Sequence, residues 1–235
     1  MTLAATFTLG FLLGVRHALD ADHLAAVATL ATRSRSLAQT VAQGVAWGTG
    51  HTLTLMLVGG VVLAAGAGIP ARAAEMLELG VGVMLVVLGA DALGRLWRER
   101  VHVHVHRHGD GAAHVHAHAH RGEPGLHDPV RHEHAPPRRL AARAMLVGMM
   151  HGMAGSAALV LLGLQAVRSP AWAFAYIAVF GGGSIVGMLL LSAAIAVPLR
   201  WSSHHLGRAH SGLSAAVGLA TLVLGCFIVY GIQSQ

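Results

Sequence analysis

Long apolar stretches separated by short polar segments dominate the chain. Six of them are about as long as, or longer than, the roughly 20 residues that a helix needs to cross a bilayer core. Strict two-residue alternation, which is typical of membrane-barrel strands, does not run through them. The pattern therefore predicts an all-α, polytopic bundle of six transmembrane helices, at about residues 3–31, 40–65, 75–97, 141–165, 171–197 and 211–232.

The composition agrees with a membrane protein. Hydrophobic residues make up 54% of the 235 residues, charged residues make up 11%, and the mean hydropathy is +0.61. A soluble domain carries about 25% charged residues. A soluble globular fold is therefore not expected.

Arginine supplies all sixteen basic residues, and its distribution predicts the orientation. Thirteen arginines follow the first, third and fifth predicted helices, two lie on the opposite side, and Arg16 lies inside the first helix. Positive charge accumulates on the cytoplasmic side of a membrane. We therefore expect both termini outside the inner (plasma) membrane and the long central segment in the cytoplasm. The high isoelectric point then reflects topology, and no nucleic-acid partner is expected.

Ionisable residues interrupt the first apolar stretch. Residues 16–23 read Arg-His-Ala-Leu-Asp-Ala-Asp-His, and each Asp or Arg at mid-membrane depth costs roughly 2.5–3.5 kcal/mol on insertion scales. Two imidazoles and two carboxylates suit a divalent ion such as Ni²⁺, Co²⁺ or Zn²⁺. We interpret His17, Asp20, Asp22 and His23 as metal ligands. The alternative is a polar network between helices, with Arg16 paired to Asp20.

A regular helix does not aim all four of these groups at one ion. At about 100° per residue, His17, Asp20 and His23 share one face, whereas Asp22 points away from Asp20. Either Asp22 orients an imidazole from outside the ligand shell, or the helix is broken here, as is common at transporter ion sites.

Two further histidines lie among small residues in apolar stretches. His51 occurs in Gly-Thr-Gly-His-Thr on the second predicted helix, and His151 in Gly-Met-Met-His-Gly on the fourth. Gly44, Gly48 and Gly50 permit close helix approach and are expected to bring His51 to the first helix. A single histidine of this kind is often only a hydrogen-bonded core residue. Beside the motif at residues 16–23, we interpret both as metal ligands.

The second half of the chain echoes the first at an offset of about 134 residues. Because three helices per repeat is an odd number, the second copy must enter the membrane inverted, as in many secondary transporters. We therefore divide the chain into a three-helix repeat with the metal motif (1–97), a central segment (98–140) and a second three-helix repeat (141–235). The aligned pairs are Gly14-Val-Arg-His17 with Gly148-Met-Met-His151, Trp47-Gly-Thr-Gly-His51 with Phe180-Gly-Gly-Gly-Ser184, and residues 81–89 with 217–225.

Residues 98–140, here called the His-rich segment, hold eleven of the eighteen histidines, many of them as His-X repeats. Interspersed glycine and proline predict disorder. Dense imidazole on a flexible chain binds several metal ions weakly. This suits capture, buffering or sensing of metal at the cytoplasmic mouth, with a cytoplasmic metallochaperone as a candidate partner. The alternative is a solvated spacer.

The motif at residues 16–23 resembles the signature helix of the nickel/cobalt transporter (NiCoT) family, in which a histidine is followed by four residues and Asp-His. His17, Asp22 and His23 occupy those positions, and Gly50-His51-Thr resembles an element of the family's next helix. The six predicted helices and Gly-Met-Met-His151-Gly-Met-Ala-Gly-Ser are similar to the shorter, urease-accessory-type members. The His-rich segment also resembles that of nickel/cobalt efflux proteins. The resemblance implies Ni²⁺ or Co²⁺ as the transported substrate, with uptake favoured.

Transport is therefore the leading hypothesis for function. Efflux would use the same parts in the opposite direction, and a metal sensor would bind the ion without moving it. No Walker motif occurs, so the energy is expected from the membrane potential, an ion gradient or a separate partner. An enzyme is disfavoured because neither His-Glu-x-x-His nor His-x-x-His-His is present, and no cofactor is expected.

Overall fold

The computed structural model describes residues 2–34, 36–65, 70–98, 101–107, 113–119, 137–154, 169–205 and 207–234. These residues form seven helices and one two-stranded hairpin. The helices are α1 (Leu3–His17), α2 (Ala21–Ala31), α3 (Leu37–Ala65), α4 (Ala71–Arg98), α5 (Pro137–Ala154), α6 (Pro170–His205) and α7 (Gly207–Gln233), and the strands are β1 (Val101–Arg107) and β2 (Ala113–Ala119).

Four helical stretches are long and apolar enough to cross a membrane, which confirms a multi-pass membrane protein. They are Leu37–Ala65, Ala71–Trp97, Pro170–Pro198 and Ser211–Gln233. The first predicted span is divided into α1 and α2, each shorter than a membrane crossing. The fourth predicted span begins in α5, and residues 155–168 lie outside the described part of the chain.

The interruption between α1 and α2 confirms that the first apolar stretch is a broken helix. Helix α1 ends at His17, and Asp20 adopts an extended conformation (φ −62°, ψ 150°) as the residue that precedes α2. Aspartate favours this position, and a second acidic residue in the first turn, here Asp22, complements the positive end of the helix dipole. The polar residues of the motif thus occupy the junction of two helices.

Glycine allows the helices to approach within backbone contact. A Cβ atom added at Gly14 would overlap the carbonyl oxygen of Phe180, and one added at Gly148 would overlap that of Trp47. Such approaches are typical of small residues at membrane helix interfaces. They hold α1 against α6 and α5 against α3, while α3 also packs on α6 and α4 on α7.

The glycines of α3 do not contact the first helix, contrary to expectation. Gly44 and Gly48 lie against α6, and Gly50 lies against Met145 of α5. His51 still comes near His17, because α1 and α3 both pack on α6.

Two strands form within the His-rich segment, so the prediction of disorder is wrong for residues 101–107 and 113–119. The strands pair antiparallel, with His102 opposite His118, His104 opposite His116 and His106 opposite His114. Alternating Val-His is a period-two pattern of a β-branched residue, which favours a strand. Residues 108–112 and 120–136 lie outside the described part of the chain.

A salt bridge joins the connection after α2 to the end of α4. Asp91 of α4 forms an ion pair with Arg33. Burial, together with the neighbouring charges of Arg95 and Arg143, lowers the pKa of Arg33 to about 10. Arg95 of α4 and Arg143 of α5 therefore lie near Arg33 in the connection after α2.

Candidate metal centre

Four histidines from four helices meet in the interior. His17 ends α1, His23 lies in the first turn of α2, His51 lies midway along α3, and His151 lies near the end of α5. Their exposed fractions are 3%, 1%, 1% and 2%. The structure thus brings together the four intramembrane histidines singled out from the sequence.

The first group of ligand atoms comes from His17, His23 and His51. One nitrogen from each ring can be chosen so that all three lie within 4.8 Å of one another. The ring centroids of His17 and His23 are 4.6 Å apart, and His51 lies 5.2 Å from His17 and 5.4 Å from His23. Three imidazoles at this spacing can enclose one divalent ion, which we call the trihistidine position.

The second group consists of Asp22, His23 and His151. Its ligand atoms also lie within 4.8 Å of one another, and the ring centroids of His23 and His151 are 4.8 Å apart. The Oδ2 atom of Asp22 is 3.6 Å from Nε2 of His151, which is beyond hydrogen-bond distance. We call this arrangement the carboxylate position, and His23 belongs to both.

Hydrogen bonds orient three of the rings. The Nδ1–H of His17 donates to Asp20 (2.7 Å), and that of His23 donates to Asp22 (3.0 Å). The Nδ1–H of His151 donates to the carbonyl oxygen of Val147 (3.2 Å). A histidine held in this way presents Nε2 with a free lone pair, as metal-binding histidines commonly do.

The opposite nitrogens are buried without hydrogen-bond partners in the described part of the chain. These are Nε2 of His17, His23 and His151, together with both ring nitrogens of His51. Each unsatisfied buried polar group costs roughly 1–3 kcal/mol. A divalent cation with an imidazole and carboxylate preference would satisfy the unprotonated nitrogen of each ring, and Ni²⁺, Co²⁺, Zn²⁺ and Cu²⁺ have that preference.

Asp20 lies outside both ligand groups. Its side chain is about half exposed and accepts the hydrogen bond from His17. The helix break causes this difference from the sequence prediction, because it removes Asp20 from the face shared by His17 and His23. The partner of Asp20 is also His17 rather than Arg16, the partner that a simple polar network would have used.

Two aromatic residues beside the site were not predicted from the sequence. The ring of Trp47 lies 4.8 Å from that of His151 and 6.0 Å from that of His23, and Phe180 lies 5.7 Å from His17. Both rings are fully buried. The available signal was the repeat, in which Trp47 aligns with Phe180, each four residues before the aligned pair His51 and Ser184.

Comparison with known proteins places the chain in a family. Residues 3–223 match the family model described as NicO, high-affinity nickel-transport protein. A relative from Bacillus sp. (strain TB-90), named urease accessory protein UreH, is 31% identical over 230 residues, covering 98% of this chain and 92% of the relative. No solved structure matches. The chain therefore belongs to the family of high-affinity nickel-transport proteins, which are transporters and not enzymes.

Proposed function

We propose that the chain takes up Ni²⁺, or Co²⁺, through an intramembrane site formed by His17, Asp22, His23, His51 and His151. Asp20 acts as a positioning residue that fixes His17. The observation that carries the proposal is the convergence of four buried imidazoles whose open nitrogens have no partner in the described residues. Such a cluster is costly in a membrane interior, and intramembrane ionisable groups typically mark an ion pathway.

An inverted repeat supports alternating access to this site. Close glycine contacts occur in pairs. Shifting both residues of one contact by the repeat offset gives the two residues of the other contact. Gly14 against Phe180 becomes Gly148 against Trp47, Gly183 against Phe11 becomes Gly50 against Met145, and Gly89 against Leu222 becomes Gly225 against Val86. Transporters built in this way bind substrate at the interface of the two halves, and His17 and His151, one from each half, both lie beside His23.

The proposed orientation places both termini outside and the His-rich segment in the cytoplasm. The convergence of Arg33, Arg95 and Arg143 at one end of the bundle agrees with the positive-inside rule. The His-rich hairpin then follows α4 on the cytoplasmic side. There it would receive the ion as it leaves the membrane, and docking of a metallochaperone at this segment stays a prediction.

Purified protein in liposomes tests the site. We expect Ni²⁺ flux in the wild type, and a loss of roughly tenfold or more in His51→Ala, because even outer-shell partners of a metal cost 10- to 100-fold. Thr49→Ala is the matched control, since Thr49 lies two residues away on α3, is only half-buried and belongs to neither ligand group. Normal flux in His51→Ala would place the pathway elsewhere, and metal binding without flux in the wild type would identify a sensor.

The same assay separates the hairpin from the membrane site. In a second variant, threonine replaces the six strand histidines, because threonine has a high strand propensity. We expect flux to continue at a changed rate, as the hairpin serves capture rather than permeation. Complete loss of flux would contradict that role. The residues replaced are His102, His104, His106, His114, His116 and His118.

The direction of transport is tested in cells. Uptake is favoured because the relative's name makes it accessory to an enzyme, a role that fits delivery of an ion into the cell. Efflux is the second candidate, because a histidine-bearing hairpin on the cytoplasmic side could equally collect ions for export. With uptake, overproduction raises the total nickel content of cells and deletion lowers it. The opposite changes would establish efflux.

A further inference from the structure

His23 lies between two histidines that occupy equivalent places in the two halves of the chain. Its ring centroid is 4.6 Å from that of His17 and 4.8 Å from that of His151. His17 and His151 each follow a glycine by three residues, Gly14 and Gly148. His23 is therefore about equally distant from these two corresponding histidines.

The surroundings of the two outer histidines correspond as well. Gly14 lies against the backbone of Phe180, whose ring neighbours His17; Gly148 lies against the backbone of Trp47, whose ring neighbours His151. The equivalence does not extend to the remaining ligands. Ser184 stands where the first half has His51, and it donates a hydrogen bond to the carbonyl oxygen of Gly14.

We propose that the transported ion occupies two adjoining positions in turn and that His23 remains bound during the exchange. In the trihistidine position the other ligands are His17 and His51, and in the carboxylate position they are Asp22 and His151. This inference rests on the proposed transport function and names the route within its site. The two ligand groups share one residue, so this site holds one ion at a time.

Ligand exchange around a fixed histidine lowers the free-energy barrier for moving the ion between the two positions. An ion that left all of its ligands together would be exposed without compensation to an apolar interior, which is prohibitive for a divalent charge. Keeping His23 bound leaves only two ligands to exchange. The positions also differ in charge, since the first has only neutral ligands and the second contains the carboxylate of Asp22.

Co²⁺ binding to the purified full-length protein tests the two positions, because its visible absorption reports the ligand set. The variants are His51→Gln and His151→Gln, which remove one position each, and His23→Gln, which removes both. We expect one Co²⁺ at the membrane site, in addition to any weakly held by the His-rich segment, and, in each of the first two variants, only about a twofold loss of affinity at that site if the positions bind equally well. Their spectra should differ from each other, and both variants should lose Ni²⁺ flux.

Other results would overturn the inference while leaving the transport function intact. If His51→Gln and His151→Gln each lose Co²⁺ as completely as His23→Gln, the five residues form one site. Identical spectra in the two single variants would lead to the same conclusion. Wild-type protein that binds Co²⁺ but transports no Ni²⁺ contradicts the proposed function instead. Retained cooperative thermal unfolding in every variant confirms that lost binding is not lost folding, and Asn replaces Gln at any position that fails this control.

Discussion

Replacing His23 with alanine is expected to abolish both Ni²⁺ binding at the buried site and Ni²⁺ transport. His23 is the only residue shared by the two ligand groups of the described residues, so its loss leaves each group with two ligands. We expect affinity to fall by more than about 100-fold, since even outer-shell partners of a metal cost 10- to 100-fold. Calorimetric titration with Ni²⁺ and flux into liposomes measure the two effects.

The neighbouring residue supplies the control for this substitution. Leu24 follows His23 in α2, and its side chain is 45% exposed. Leu24→Ala is therefore expected to keep wild-type binding and flux. A His23→Ala protein that still transports at the wild-type rate would refute the site as a whole, because no other described residue belongs to both positions.

Replacing Gly183 with alanine is expected to separate α1 from α6. A Cβ atom at Gly183 would overlap the carbonyl oxygen of Phe11, which belongs to the backbone of α1 and cannot rotate away. Overpacking of this kind typically costs about 1–3 kcal/mol of unfolding free energy. We expect a lower thermal unfolding midpoint in detergent and reduced Ni²⁺ flux, because α1 carries His17.

Gly182 is the matched control, one residue earlier in the same helix. A Cβ atom there would meet nothing within 4 Å. Alanine is favoured over glycine within a helix by about 1 kcal/mol, so Gly182→Ala should be neutral or slightly stabilising. Equal midpoints for Gly182→Ala and Gly183→Ala would show that the contact between α1 and α6 is looser than the structure indicates.

The sequence was informative where polar residues interrupt an apolar stretch. The free-energy cost of burying Asp20 and Asp22 indicated a functional site. The angular positions of residues 17–23 showed that a regular helix could not direct both carboxylates and both imidazoles at one ion. At the break, Asp20 precedes α2 without making a side-chain capping hydrogen bond, and its carboxylate accepts from His17 instead. Family membership agrees with the substrate expected from this motif.

The details that the sequence did not predict depend on the tertiary packing. The exclusion of Asp20 from the ligand groups required the position of the break. The partners of Gly44, Gly48 and Gly50 required the order of the helices, since a glycine permits close approach without selecting a neighbour. In the His-rich segment, glycine and proline suggested disorder, although the alternating Val-His pattern of residues 101–106 already favoured a strand.

The break between α1 and α2 also makes the first span a joint. Helix α1 packs on α6, whereas α2 packs on α7 and α4 as well as on α6. The two histidines on either side of the break are therefore attached to different parts of the bundle. A displacement of α6 relative to α7, within the second half, would therefore change the distance between His17 and His23. Increasing this distance would weaken the binding of an ion held by both imidazoles, without any chemical change in the two side chains.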